Sequence, residues 1–404
     1  MLDSTRTNPK IRRPASADFP LAGAKPAASA DFHAPTFMPI THRTAPKINR
    51  KPPRPKRSGK AGLPAGALVH LGEQKIQHAA ISLIEYGPDG LTETHFANLA
   101  ACHACTPTGP KLWLNVHGLH EPEVMQEIGR RFNLHPLVLE DILNTDQRPK
   151  IDDYGDYLFL VARFFNYDAV ALTATSEQVS FVIGANFVLT FQERPTGSFD
   201  PVREWLRQDK GRIRQLGVDY LAYALLDTLV DRYFVVLEQI GERSEELEEA
   251  LIAKPDAALL SVLHQLKRET LTLRRAIWPL REVINTLLRN DSRFFTAETR
   301  LYLRDIYDHT VHLIESLEAI RDLIAGMLDI YLSAISNRVN QEVRALTVVA
   351  VIFMPATLVS GIFGMNFRTM PLLDDPAGFL FAIGLMVGVA ATLSAIFWRR
   401  RWLG

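Results

Sequence analysis

The chain has 404 residues, 47% of them hydrophobic, with 45 Lys and Arg against 45 Asp and Glu. That length allows two or three domains. Its two cysteines, Cys102 and Cys105, exclude a disulfide framework and fit a reducing compartment. The zero net charge hides an asymmetry, because residues 1–60 carry 13 Lys and Arg against 3 acids. The remainder is therefore acidic, as suits a protein that handles cations.

Residues 1–62 are rich in Pro, Ala, Ser and basic side chains and show no apolar period, which predicts a disordered basic tail. It lacks the apolar stretch of a signal peptide. It is read as a solvated extension, and no nucleic-acid partner is expected. Residues 63–200 mix short strands and helices, which predicts a soluble α/β domain. Strand-like content falls at 79–86, 111–116, 157–165, 178–183 and 187–191, and short helices at 121–132 and 135–143. Cys102-His103-Ala104-Cys105 is one CxxC without a second close pair, so it is read as two free thiols on a loop, not a zinc site.

Past Asp200 the pattern turns to long helices, and residues 201–344 are read as a helical stalk. One helix is expected over 218–253, carrying Glu242, Glu245, Glu246, Glu248 and Glu249 on a solvated face. A second follows Pro255 and runs to about Asn290. The third starts near Thr296 and has no Gly-Pro break before Phe363, which makes it ~100 Å long at 1.5 Å per residue. A helix of that length needs partners along it, and copies of itself are the natural supply.

Residues 345–363 and 379–398 are uncharged apolar runs of 19 and 20 residues, each long enough to cross a ~30 Å hydrocarbon core. Between them lies a loop, 364–378, expected outside the membrane. Arg399-Arg400-Arg401 opens the basic tail 399–404 and predicts a cytoplasmic C-terminus. Two spans then put the N-terminal part in the cytoplasm too. On the inner helix, steps of three and four link Asn340, Val343, Thr347, Ala350, Met354, Thr357 and Gly361 into an uncharged seam. Such a seam lines a pore in a symmetric bundle, or packs closely in a closed one.

Ser360-Gly361-Ile362-Phe363-Gly364-Met365-Asn366-Phe367 resembles the mouth of the CorA family of divalent-cation channels. The resemblance extends to Asn340-Gln341-Glu342-Val343-Arg344-Ala345-Leu346-Thr347, to Met354-Pro355, to Gln147-Arg148-Pro149-Lys150 and to the run from His135 to Leu143. It also takes in Ile277-Trp278-Pro279-Leu280-Arg281-Glu282 and Tyr307-Asp308-His309-Thr310. It implies a homopentameric funnel: a cytoplasmic α/β domain, a long α-helical stalk and two C-terminal transmembrane helices, embedded in membrane lipid. It implies passive influx of hydrated Mg²⁺, and of Co²⁺ or Ni²⁺, driven by the membrane potential. Matching pore positions are Asn340, Leu346, Met354, Thr357, Gly361 and Asn366, with Gly364, Met365 and Asn366 as the entrance and Val343 where relatives usually carry Met.

The resemblance further implies closure by internal Mg²⁺ held between subunits at Asp141 and Asp305, with an accessory site at Glu140, Asp227 and His309. Relatives often carry Glu after Met-Pro, whereas Leu372 stands here, so attraction of ions falls to Asp374 and Asp375. Gly364 is expected to turn the backbone sharply after the first span. No phosphate-binding Gly-rich loop indicates coupling to ATP, no organic cofactor is implied, and no catalytic constellation stands out. Two other readings stay open: a zinc transporter of the same superfamily, and a membrane-anchored sensor that conducts nothing.

Overall fold

A computed structural model describes residues 62–96, 111–168, 171–289, 293–365, 372, 375–400 and 402. The basic tail to residue 61, Cys102, Cys105, Asn366 and Asp374 lie outside the described residues.

Among the described residues, seven strands form one sheet in the order β2-β1-β3-β7-β6-β5-β4. They are β1 (Ala80–Gly87), β2 (Gly90–Phe96), β3 (Leu112–His117), β4 (Lys150–Asp153), β5 (Tyr157–Asp168), β6 (Thr173–Gly184) and β7 (Phe187–Gln192). Only the β3–β7 pairing is parallel. Those two strands are buried along their whole length, as expected of central strands covered on both faces. Side chains alternate between two cores. Leu112, Leu114 and Val116 face a layer built with α1 (Pro122–Arg131) and α2 (Pro136–Leu143). Trp113, Leu158, Leu160 and Phe181 face the opposite layer, which holds α3 (Asp200–Gln208) and the start of α4 (Val218–Ala253).

Two strands and one helix are additions to the sequence reading. β2 is a half-exposed, polar edge strand folded back on β1 through a turn that pairs Gly87 with Gly90. β4 is four residues at the other edge, too short and polar to show a period. α3 is a single short amphipathic helix before the long ones begin.

The stalk is read directly from spacing. α4 and α5 (Ala257–Arg289) pack along α6 (Ala297–Phe363), a helix of 67 residues. Buried on α6 are Thr299, Leu303, Ile306, Thr310, Leu313, Leu317, Ile324 and Met327, a three-four rhythm that keeps one face against its partners. Thr296 caps the helix by accepting from Thr299 N, while Asp219 on α4 accepts from Thr296 N and Oγ1. The glutamates of α4 stay on its solvent side, and Arg243, Ser244, Leu247 and Leu251 form the buried side. Pro355 lies within α6 and removes one backbone bond without ending the helix.

α7 (Gly378–Arg399) returns along the lower part of α6. Both helices contain windows long and apolar enough to cross a membrane, and almost nothing in either window is buried. The fold class expected from the sequence is the one observed: an α/β sheet domain, a long helical stalk and two apolar C-terminal helices.

Candidate functional site

Two regions carry the chemistry. The first is the bare face of α6. Asn340, Val343, Thr347, Ala350, Met354, Thr357 and Gly361 are all exposed in the protomer, as is Leu346 on the flank, at 71%. Val348, by contrast, is 2% exposed and packs inward. At 100° per residue it lies ~140° around the helix from the middle of the seam. One side of α6 is thus covered by its own chain, and the seam looks away from that cover.

The seam's hydroxyls have a fixed polarity. Thr347 Oγ1 donates to Val343 O at 2.8 Å, and Thr357 Oγ1 donates to Phe353 O at 3.0 Å. Each hydroxyl has committed its proton to its own helix, so towards the seam it can only accept. That suits the water hydrogens of a hydrated cation. Between the two threonines stand Ala350 and Met354, the latter 67% exposed. No charged side chain enters the seam.

The helix ends at Gly364, where the chain turns, and it bends at Met365, but no left-handed backbone is needed for this. Gly364 caps α6 with φ −85° and ψ −1°, a conformation open to any residue. Its lack of a side chain serves a close approach instead, since a Cβ there would meet Ser360 O at 3.1 Å. Met365 is exposed just beyond, and its N–H donates to Ile362 O. Asp375 opens α7, its carboxylate accepting from Ala377 N at 2.8 Å.

The second region is acidic and lies on the stalk. Asp227 and Asp231 are one turn apart on α4, and Asp305 and His309 are one turn apart on α6. Ligand atoms of Asp227, Asp231 and His309 all lie within 4.8 Å of one another. Asp305 Oδ2 is 3.8 Å from His309 Nε2. His309 Nδ1 is buried without a hydrogen-bond partner. Burial, and then the charge of Asp231, push the Asp227 carboxyl up to about 6, against a hydrogen bond from Tyr223. Burial raises Asp231 as well. Crowded carboxylates with raised affinity for protons are sites a divalent cation would relieve. The donor set fits such an ion: carboxylates suit Mg²⁺ with its waters, and the imidazole admits Co²⁺, Ni²⁺ or Zn²⁺.

The structure therefore joins Asp227 and His309 and adds Asp231, which the sequence reading passed over. The signal was present as two pairs of ligand-type residues at four-residue spacing on helices expected to pack. Glu140 is elsewhere, on α2, where its Oε2 accepts from Gly66 N at 2.6 Å. Asp141 is also on α2. Its carboxylate accepts from Lys150 Nζ at 2.6 Å and from the Gln147 side-chain amide. Burial opposes the charge on Lys150, but hydrogen bonds to Asp141 and Asp152 raise its pKa overall, so it stays an ammonium.

Comparison with known proteins places these features in a group. Residues 111–401 match the family described as CorA-like Mg²⁺ transporter protein. The chain is 40% identical to the cobalt/magnesium transport protein CorA of Thermotoga maritima, over 86% of this chain and 98% of that one. It is 33% identical to the putative metal ion transporter YfjQ of Bacillus subtilis, over 72% of this chain and 89% of that one. Among solved structures, the CorA magnesium transporter of Methanocaldococcus jannaschii superposes with a TM-score of 0.69 at 21% identity, covering 81% of this chain and 99% of that one. The full-length CmaX protein gives 0.65 at 24% identity, covering 82% and 100%.

Proposed function

The chain belongs to the CorA-like Mg²⁺ transporter family, and from that premise we propose that it carries hydrated Mg²⁺, and also Co²⁺ and Ni²⁺, passively across a membrane. The family is one of transporters, not enzymes. The observation that carries the reading is the uncharged seam on α6, left bare on the side opposite the helix's own packing partners.

Five copies around one axis would turn those seams inward and cover them. The ion then meets Asn366 first. Mg²⁺ sheds water reluctantly, and a carboxylate ring would hold it too long. Amide oxygens accept from its hydration shell and let it pass. Thr357 and Thr347 offer acceptors deeper in, while Met354 and Leu346 form apolar rings that close the path by drying. Asp374 and Asp375 would raise the cation concentration at the mouth. Each charge gains ~2.3 kcal/mol per 100 mV on the way in, so a divalent ion needs no ATP.

Orientation follows from Arg399 and Arg400 at the end of α7, which favour the cytoplasm. The Arg344 guanidinium stands 5.8 Å from the Trp402 ring, so the inner end of the first span meets the end of the second. Both termini then share the cytoplasmic side. Internal Mg²⁺ bound between Asp141 of one subunit and Asp305 of its neighbour would clamp the stalks shut, with Asp227, Asp231 and His309 as an accessory site. Loss of the ion releases the clamp and shifts the population towards open.

The test is uptake into vesicles containing the purified protein, comparing Mg²⁺, Co²⁺, Ni²⁺ and Zn²⁺ under an inside-negative potential. Mg²⁺, Co²⁺ and Ni²⁺ influx that grows with potential is expected. Proton-driven Zn²⁺ flux without Mg²⁺ flux, or no flux of any of them at low internal Mg²⁺, contradicts it.

A further inference from the structure

In the protomer, Asp141 already holds a cation. Lys150 Nζ donates to its Oδ2 at 2.6 Å, and the Gln147 amide donates to its Oδ1. Both donors come from the segment that leaves α2 and enters β4. The same ammonium lies 2.8 Å from Asp152 Oδ2 and 5.4 Å from the centroid of the Phe159 ring. Lys150 and Asp152 are two residues apart on a strand, so their side chains leave the same face. Lys150 therefore bridges two carboxylates, one on its own strand and one on the helix before it.

We propose that Lys150 is a tethered competitor for the divalent ion at Asp141, occupying the carboxylate when internal Mg²⁺ is scarce and withdrawing to Asp152 when the ion arrives. The proposal rests on the reading of Asp141 as an intersubunit ligand. A divalent ion needs a carboxylate oxygen that no ammonium covers. It binds only in the fraction of time Asp141 is uncovered, and its apparent affinity falls by that fraction. Because the competitor is part of the chain, dilution does not weaken it. Asp152 makes withdrawal cheap, since the ammonium keeps a partner in either position. The pair is partly exposed, which limits the effect on the ion's apparent affinity to about two- to fivefold. Lys150 thereby sets the internal Mg²⁺ level at which closure begins, without being a ligand itself.

The readout is the Mg²⁺ concentration that half-protects the full-length protein, in lipid nanodiscs, from limited proteolysis; it involves no flux. Lys150→Met should lower that midpoint about two- to fivefold. Lys150→Arg, which keeps the charge, should leave it near the parent value. Asp152→Asn should raise it, because the ammonium then has only Asp141. In the Lys150→Met background the Asp152→Asn effect should largely vanish, as coupling through Lys150 requires. An unchanged midpoint for Lys150→Met overturns the proposal. So does an Asp152→Asn shift of equal size in both backgrounds, which would mean a through-space field and no moving ammonium. Asp141→Ala separates the two levels of the argument. If it abolishes protection while Lys150→Met does nothing, only the competitor role falls. If it leaves the midpoint in place, Asp141 is no ligand and the reading beneath the proposal falls with it.

Discussion

At Asp227 burial and the neighbouring Asp231 both oppose ionisation, and the carboxyl is pushed up to about 6 from 3.8. The folded protein thus holds this proton more tightly than the unfolded chain does. The group's contribution to metal-free stability is greatest below pH 3.8 and is lost as the pH rises through about 6. A divalent ion bound in the cluster, as proposed, would restore what deprotonation removes, and protons would compete with it. The gain in melting temperature on adding Mg²⁺ should be large at pH 7.5 and shrink at pH 5. Asp227→Asn should stabilise the metal-free protein at pH 7.5 by about 1 kcal/mol, after discounting for solvent screening. Thermal melts at the two pH values check both. Asn366 is the other residue on which the proposed function turns. Replacing it with Ala removes charge-assisted hydrogen bonds worth ~2–3 kcal/mol, so flux should fall about a hundredfold while assembly persists. Near-normal uptake would remove Asn366 from selectivity.

Residue-level legibility was uneven for physical reasons. Asp227 and His309 came from motif resemblance, and Asp231 was recoverable from its spacing to Asp227. The Lys150 contact to Asp141 was not recoverable, because it depends on how residues 144–149 turn, and β4 is four polar residues at an edge. At Gly364 a sharp turn was expected, and the helix does end there, but in right-handed backbone, where a Cβ would make only a tight 3.1 Å contact with Ser360 O.

At the scale of elements, α6 has two faces with different tasks. From Thr299 to Met327 its buried side chains recur every three and four residues against α4 and α5. Farther down, Val348 continues inward packing while Asn340 to Gly361 form the bare seam. These periods were readable because a long helix keeps its phase. The edge strand β2 was not, since polar residues exposed on one side resemble a loop. Leu346 lies on the bare side, 71% exposed, so Leu346→Ser should change protomer stability by less than about 0.5 kcal/mol. In the assembled pore it would wet a ring that closes by drying. Losing ~1.4 kcal/mol of that barrier gives about tenfold more Mg²⁺ leak with the site closed by internal Mg²⁺. Vesicle flux at high internal Mg²⁺ measures it, and an unchanged leak would move the gate elsewhere.

At the scale of the molecule, a 67-residue helix whose seam stays bare over about six turns, from Asn340 to Gly361, is incomplete alone. Lipid can cover Phe353 and Leu358, but it offers nothing to the Asn340 amide or to the acceptor lone pairs left on the Thr347 and Thr357 hydroxyls. Copies of the same chain, assembled as proposed, would supply both cover and a wet axis. Native mass spectrometry of the full-length protein released from lipid nanodiscs tests this most directly. The account predicts a dominant species of five chains; a stable monomer in the membrane would leave the seam without an axis to line and would contradict it.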